Sequence, residues 1–133
     1  MPSPTETVME FLAMCEKPGG FADAVRAFFT PETRYINVGM TDCTGIDEGI
    51  AVVQSFETAM GAASLKVDML ALAEQGNTVL TERVDHLLGA DGQPALSLAV
   101  MGIFEVSEGK ITGWRDYFDT AGTASGKPSL AHQ

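Results

Sequence analysis

The sequence predicts an α+β fold in which three N-terminal helices pack on a cone-shaped, curved antiparallel or mixed sheet around a deep apolar pocket. Apolar residues recur at helical spacing in the first part of the chain and alternate with polar residues in the second part. The length of 133 residues fits a single domain, 1–133. Helices that cover one face of such a sheet enclose a pocket suited to a small apolar ligand.

Three helices are expected in the first part of the chain. The first has a strong start signal, because Ser3 is a capping residue, Pro4 suits the first helical position and Glu6 completes a capping box. Its apolar face is formed by Val8, Phe11, Leu12 and Cys15. A second helix over about 21–29 and a third over about 47–60 show the same spacing.

Strands are expected at 34–38 and throughout the second part of the chain. Four further segments alternate between polar and apolar residues, as half-buried strands do. They are 65–70, 78–88, 95–106 and 111–118. Residues 39–45 are expected to form a loop. The small and polar residues of 120–133 are expected to form a loose tail.

The composition argues against several classes of function. The net charge of −10, from 8 basic and 18 acidic residues, repels phosphate backbones and anionic lipids, so neither nucleic-acid nor membrane binding is expected. The sequence has neither a membrane-length apolar run nor a signal-peptide pattern, which predicts a cytoplasmic protein. Cys15 and Cys43 lack zinc-site spacing, and a phosphate-binding glycine loop is missing, so no metal or cofactor is predicted.

Three charged residues interrupt the apolar pattern of the predicted strands. Side chains alternate across a strand, so Arg83, Asp85 and Leu87 share one face. By the same rule, the residues that share a face with Asp116 are Trp114 and Phe118. Buried charges are costly unless they are paired, and one guanidinium can bond two carboxylates. Two such carboxylates tend to retain one proton between them, which places a general acid beside a general base.

Periodicity alone leaves the direction of these faces open. Arg83, Asp85 and Asp116 could form an ion-pair network on the solvent face, because Val84 and Tyr117 on the opposite faces are also plausible core residues. The candidates for a pocket wall, or equally for ordinary core, are Leu87, Trp114 and Phe118.

The motifs around these residues decide the direction. They are Tyr35-Ile36-Asn37, Glu82-Arg83-Val84-Asp85 and Gly113-Trp114-Arg115-Asp116-Tyr117-Phe118-Asp119. Their combination resembles the limonene-1,2-epoxide hydrolase family, within the wider group of nuclear transport factor 2-like and SnoaL-like proteins, and the resemblance covers about 8–119. It implies a small apolar epoxide and water as substrates, a homodimer and no cofactor.

The resemblance also implies a role for each matching residue. Asp116 is expected to be the general base, with Tyr35 and Asn37 holding the attacking water. Asp85 is expected to be the general acid that protonates the epoxide oxygen, and Arg83 is expected to bridge the two carboxylates. Water would then add in one step, without a covalent intermediate, to give a vicinal diol.

Two other classes of function remain open on the same fold. One is a different enzyme that uses the same acid and base, such as a polyketide or polyether cyclase or a ketosteroid-isomerase-like enzyme. The other is a small-molecule binding module without a reaction. Turnover of a panel of cyclic epoxides distinguishes these alternatives from an epoxide hydrolase.

Overall fold

The computed structural model describes residues 2–120 as three helices and six strands. The helices are α1 (Pro4–Cys15), α2 (Gly20–Phe28) and α3 (Ile46–Met60). The strands are β1 (Phe29–Asn37), β2 (Thr41–Thr44), β3 (Ala62–Gln75), β4 (Thr78–Gly89), β5 (Pro94–Ser107) and β6 (Lys110–Tyr117). The tail predicted over 120–133 lies, beyond Thr120, outside the described residues.

Helix α1 begins at the predicted capping box. The Ser3 hydroxyl accepts a hydrogen bond of 3.1 Å from the backbone N–H of Glu6, and the Glu6 carboxylate accepts one of 2.9 Å from the backbone N–H of Ser3. The helix buries Phe11 completely, with its ring 6.3 Å from that of Phe104 and 5.2 Å from that of Trp114. Helix α1 therefore lies directly over the inner face of the sheet.

The six strands form one mixed sheet in the order β2-β1-β6-β5-β4-β3. Neighbouring strands are antiparallel except β1 and β6, which are parallel. Helix α1 contacts β3 to β6, and helix α3 contacts β1, β2 and β3, so the helices cover a single face. This confirms the predicted arrangement of three helices on a mixed sheet.

The structure has a hairpin where a short strand and a loop were predicted. Strand β1 begins at Phe29 rather than at 34, and the segment expected to be a loop contains β2, which pairs with β1 from Arg34↔Thr44 to Asn37↔Thr41. The turn between them uses Gly39 at φ 84°, where a side chain would be strained. A strand of four residues is too short to show alternation in sequence, and its backbone pairing with β1 decides its structure.

The core fills the space between the helices and the inner face of the sheet. Its largest fully buried side chains are Trp114, Arg83, Tyr35, Phe11, Phe104 and Ile111. One member of this set, Arg83, is charged. Within residues 2–120, no helix is long and apolar enough to cross a membrane.

Candidate active site

The inner face of β4 carries the charged residues that the sequence singled out. Burial alternates along this strand: Arg83 is 0% exposed and Asp85 is 7% exposed, whereas Glu82 between Thr81 and Arg83 is exposed. The question that periodicity left open is therefore answered, since both charges point toward the helices. Leu87 follows on the same face and is also buried.

The Arg83 guanidinium uses all five of its N–H groups. Nε and Nη2 donate to the two oxygens of Asp85 at 3.0 and 2.8 Å, and Nη1 and Nη2 donate to the two oxygens of Asp116 at 3.1 and 2.8 Å. The remaining Nη1 hydrogen goes to the Thr81 hydroxyl at 2.9 Å, and this hydroxyl donates to the Gly102 carbonyl at 3.0 Å. A buried guanidinium requires such complete pairing, because each unpaired N–H would cost free energy.

A glycine in β5, Gly102, allows the Arg83 guanidinium and the Asp116 carboxylate to approach each other. Gly102 pairs with Thr81 of β4 on one side and with Asp116 of β6 on the other. A Cβ at this position would overlap both Nη1 of Arg83 and Oδ1 of Asp116. The missing side chain thus leaves the space in which the guanidinium crosses β5 to reach the second carboxylate.

Asp116 has a third donor in Trp114, two residues earlier on β6. The indole Nε1–H donates to Oδ1 of Asp116 at 2.7 Å. The indole ring is stacked between Tyr35, at a centroid distance of 4.3 Å, and Phe104, at 5.0 Å. The predicted wall residue Trp114 therefore also contacts the predicted base.

The parallel pairing of β1 with β6 adds the two predicted water-holding residues. It sets Tyr35 opposite Trp114 and Asn37 opposite Asp116. Both side chains are buried, and Asn37 Nδ2 donates to the Thr41 hydroxyl of β2 at 3.0 Å. This bond fixes the plane of the amide, so β2 helps to orient a site residue.

An apolar cavity lies in front of the two carboxylates. Its wall includes the predicted residues Leu87, Trp114 and Phe118, although Phe118 follows the end of β6 instead of belonging to it. Eight more apolar side chains complete the wall, namely Phe21, Met40, Phe56, Met60, Leu65, Leu96, Leu98 and Val100. Its polar lining comprises Tyr35, Asn37, Asp85 and Asp116, with Arg83 fully buried behind them.

The cavity volume is about 40 Å³. A buried water needs roughly 10–15 Å³ of such space, so the cavity accommodates only a few waters. Met40 at the β1–β2 turn lines the cavity while remaining 43% exposed, so the cavity borders on solvent there.

Burial and charge act in opposite directions on the ionisable groups of the site. Burial raises the pKa of Asp116 above its ordinary value, while the Arg83 guanidinium and its hydrogen bonds counteract part of this rise. Burial would lower the pKa of Arg83, but the two carboxylates raise it overall, so Arg83 stays a cation. Burial also raises the pKa of Tyr35 well above its usual range, which keeps the phenol neutral.

Three residues of this arrangement were missed by sequence reasoning. Thr81 accepts a hydrogen bond from Arg83 and donates one across to β5, Gly102 leaves space for the guanidinium, and Thr41 of β2 orients Asn37 of β1. A glycine within an alternating strand signals a close approach of another group, so Gly102 offered a signal. The two threonines look like ordinary strand residues and offered none.

Comparisons with known proteins identify the family of the chain. Residues 2–127 match the family model described as limonene-1,2-epoxide hydrolase catalytic domain. Epoxide hydrolase EphG of Mycobacterium tuberculosis is 35% identical over 97 residues, which cover 73% of this chain and 62% of that protein. The match thus spans less than two thirds of that relative's length.

Solved structures show the same fold. An LEH-like epoxide hydrolase from M. tuberculosis superposes with a TM-score of 0.73 at 30% identity, over 92% of this chain and 83% of that one. An NTF2-like protein of unknown function from Cytophaga hutchinsonii has a TM-score of 0.70 at 17% identity, over 93% and 96% of the two chains. The second likeness concerns the fold alone, whereas the family model covers nearly the whole chain. The chain therefore belongs to the limonene-1,2-epoxide hydrolase family.

Proposed function

We propose that this protein is an epoxide hydrolase that adds water to a small apolar epoxide, of limonene-oxide type or another cyclic kind, to give a vicinal diol. The observation that carries the proposal is the pair of carboxylates, Asp85 and Asp116, bonded to one buried guanidinium at the wall of an apolar cavity. Family membership and the likeness to EphG support it. The apolar wall and the net charge of −10 favour a neutral substrate over an anionic one.

In this proposal, Asp116 is the general base that takes a proton from the attacking water. Tyr35 and Asn37 hold this water, which is supported by their place beside Trp114 and Asp116 in the register of β1 and β6. Because the Asn37 amide donates to Thr41, its oxygen is left to accept a hydrogen bond from the water. Three fixed partners would leave a lone pair of the water directed at the epoxide carbon.

Asp85 is the general acid in the same step. As the water oxygen bonds to carbon, the carbon–oxygen bond of the ring breaks, and the ring oxygen takes the proton of Asp85 while Asp116 takes the proton of the water. Atoms and charges balance, because the cluster holds one proton before and after the reaction. Positioned acid and base groups each typically contribute about 10²–10⁴-fold to the rate.

The decisive test replaces each carboxylate separately. Asp116→Asn and Asp85→Asn should each lower diol formation by roughly 10²–10⁴-fold, because each removes one proton-transfer group. Glu82→Gln is the matched control, since Glu82 adjoins Arg83 on the same strand but is exposed on the opposite face. Near-normal turnover by either Asp variant, with folding verified by circular dichroism, would exclude the proposed roles.

Two further measurements separate the proposal from its alternatives. In a single turnover in isotopically labelled water, one-step addition puts the label into the diol at once, whereas an ester intermediate on an aspartate gives unlabelled diol first. A panel of cyclic epoxides tests the class of function. Binding without turnover would favour a binding module, and turnover only of carbonyl or polyketide substrates would favour an isomerase or cyclase.

We also propose that the protein forms a homodimer through the outer face of the sheet. Met101 and Tyr117, which pair across β5 and β6, are 53% and 47% exposed, and Leu80 and Leu70 extend the apolar surface. A second copy, related by a two-fold axis, would cover this surface. Light scattering should show a dimer for the normal chain and a monomer for Met101→Lys; a monomeric normal chain would contradict the proposal.

A further inference from the structure

The two carboxylates share the Arg83 guanidinium almost evenly. Asp85 accepts from Nε and Nη2 at 3.0 and 2.8 Å, and Asp116 accepts from Nη1 and Nη2 at 3.1 and 2.8 Å. The proposed reaction nevertheless needs one carboxylate ionised and the other protonated. With two bonds of similar length to each, Arg83 does not distinguish between them.

Burial also fails to favour the required assignment. The Asp116 side chain is 5% exposed and the Asp85 side chain 10%, so desolvation disfavours the charge on Asp116 at least as much. Another interaction has to hold the negative charge on Asp116. Trp114 offers it, because its indole N–H is donor-only and lies 2.7 Å from Oδ1 of Asp116.

We propose that Trp114 is the positioning residue that keeps the negative charge on Asp116 and thereby makes this carboxylate, and not Asp85, the base. The inference rests on the proposed function of the site. With Trp114, Asp116 accepts three hydrogen bonds and Asp85 accepts two. The indole N–H can only donate, so it stabilises the ionised form of Asp116. If Oδ1 of Asp116 carried a proton, that proton would face the indole N–H and find no acceptor.

The surrounding rings hold the indole N–H in place. Tyr35 and Phe104 stack on the two faces of Trp114 at interplanar angles of 11° and 19°, and Phe11 meets it edge-on at 83°. Rotation of the indole away from Asp116 would break these contacts. Its N–H is therefore pre-organised toward the carboxylate, which is the condition for a constant bias on the proton.

Few other titratable groups act on Asp116. Arg83 and Asp85 face it from β4 and Tyr35 from β1, and Cys15 on α1 adjoins the cluster through its electrostatic interaction with Asp85 and Arg83. Burial raises the pKa values of Tyr35 and Cys15, so both stay neutral in acid. The remaining wall positions from α2, α3 and β5 are apolar, with Phe21, Phe56, Met60, Leu96, Leu98 and Val100 among them. The acid limb of the pH–activity profile, which is the fall in activity at low pH, is therefore expected to reflect protonation of the carboxylate pair.

The test uses the fact that Trp114 is the single tryptophan of the chain. Biosynthetic replacement of tryptophan by its benzothiophene analogue removes one N–H and preserves the ring shape. We expect kcat to fall by roughly 10- to 100-fold, the worth of a hydrogen bond to a charged acceptor. The acid limb of the pH profile should move to higher pH by about one to two units, because Asp116 is protonated more easily.

A fluorotryptophan provides the matched control, since it keeps both the N–H and the stacking. Its kcat and acid limb should match those of the normal protein. Trp114→Phe, which also removes the N–H, should move the acid limb in the same direction as the benzothiophene analogue. An unmoved acid limb in the benzothiophene protein overturns the inference.

A direct titration separates this inference from the proposed function. Nuclear magnetic resonance of isotope-labelled aspartate carboxyl groups, with Asp116→Asn and Asp85→Asn for assignment, follows the protonation of both carboxylates without substrate. If the normal protein hydrolyses no epoxide, the proposed function fails, and the bias of Trp114 still stands or falls on this titration. A titration of Asp116 that is identical with and without the indole N–H overturns the inference in either case.

Discussion

The two faces of the sheet carry charged groups in opposite environments. On the inner face lies the inner cluster, defined as Arg83, Asp85 and Asp116, in which the guanidinium is completely buried. On the outer face lies the outer network, in which the His86 ring bonds the Ser97 hydroxyl at 2.7 Å through Nδ1 and the Asp68 carboxylate at 2.9 Å through Nε2. His86 lies on the face opposite Asp85, as the two-residue period of a strand requires.

The outer network shows that hydrogen-bond geometry alone does not make a site. A serine, a histidine and a carboxylate in a row resemble the arrangement that activates a nucleophile. The Asp68 side chain is 52% exposed, however, and Ser97 and His86 lie opposite each other in the pairing of β4 with β5. In the single chain the outer network is exposed to solvent, which screens its charges, whereas the inner cluster is buried within the fold and acts in a medium of low dielectric constant.

The largest difference between the faces is expected for their arginines. Arg83→Met leaves two buried carboxylates without their cation and should lower the free energy of unfolding by about 3–5 kcal/mol. Arg115→Met removes a single bond of 3.1 Å to Glu105 on the outer face, between side chains that are 32% and 49% exposed, and should cost less than about 1 kcal/mol. Urea unfolding at neutral pH measures both. Equal losses of unfolding free energy in the two variants would mean that water reaches the inner cluster.

Glycines on the two faces should respond to an added methyl group in different ways. Gly102→Ala forces a Cβ into Arg83 and Asp116, which are fixed in the core, and should destabilise the fold by about 1–3 kcal/mol and reduce activity. Gly113→Ala meets the end of the exposed Glu105 side chain, which can rotate away. Thermal unfolding of the two variants gives the comparison, and a tolerated Gly102→Ala would show that the cluster can shift.

Acidic groups on the inner face and on the surface should also give opposite dependences of stability on pH. Burial raises the pKa of Asp116, so the folded state binds its proton more tightly than the unfolded chain does. Stability from this group is therefore present below the ordinary pKa and is lost as the pH rises through the raised value. The hydrogen bond and charge of Arg34 lower the pKa of Asp42, so stability from Asp42 is lost as the pH falls through the lowered value.

Substitution isolates these two slopes. As the pH rises from acid toward neutral, Asp116→Asn should become more stable relative to the normal protein. Over the same rise in pH, Asp42→Asn should become slightly less stable relative to the normal protein. Urea unfolding across a pH series measures the slopes. A flat difference for Asp116→Asn would mean that the pKa of Asp116 is the same in the folded and unfolded states.

The smallest effect is expected in the outer network itself. Asp68→Asn removes an exposed carboxylate from His86 and should change the free energy of unfolding by at most about 1 kcal/mol, with turnover unchanged. Added salt should reduce even this difference, because screening acts on exposed charges. Loss of turnover in Asp68→Asn would mean that the outer face takes part in the chemistry.

Alternation along single strands made the inner cluster predictable. The two-residue period by itself places Arg83 on the same face as Asp85, and Asp116 on the same face as Trp114. The same period could not say which face was inward, since Val84 on the opposite face is also apolar. That choice came from the resemblance to a family, and the buried Arg83 agrees with it.

Contacts between distant strands were beyond the reach of the sequence. The parallel pairing of β1 with β6, which sets Asn37 beside Asp116, joins segments far apart in the chain and has no local pattern. Strand β2, which holds Asn37 through Thr41, was expected to be a loop. Local periodicity therefore predicted which residues belong to the site, and sheet topology determined how they meet.

The missing side chain at Gly102 affects the folding of the sheet as well as the contact between Arg83 and Asp116. A one-residue slip of β5 would bring Met101 or Ile103 to the place where the guanidinium crosses the sheet, and a two-residue slip would bring Val100 or Phe104. Each of these side chains would exclude Arg83 from Asp116 and leave buried charges unpaired. Only the native register closes the sheet at no such cost. The buried charges of the inner cluster thus disfavour mispaired registers of β5 during folding.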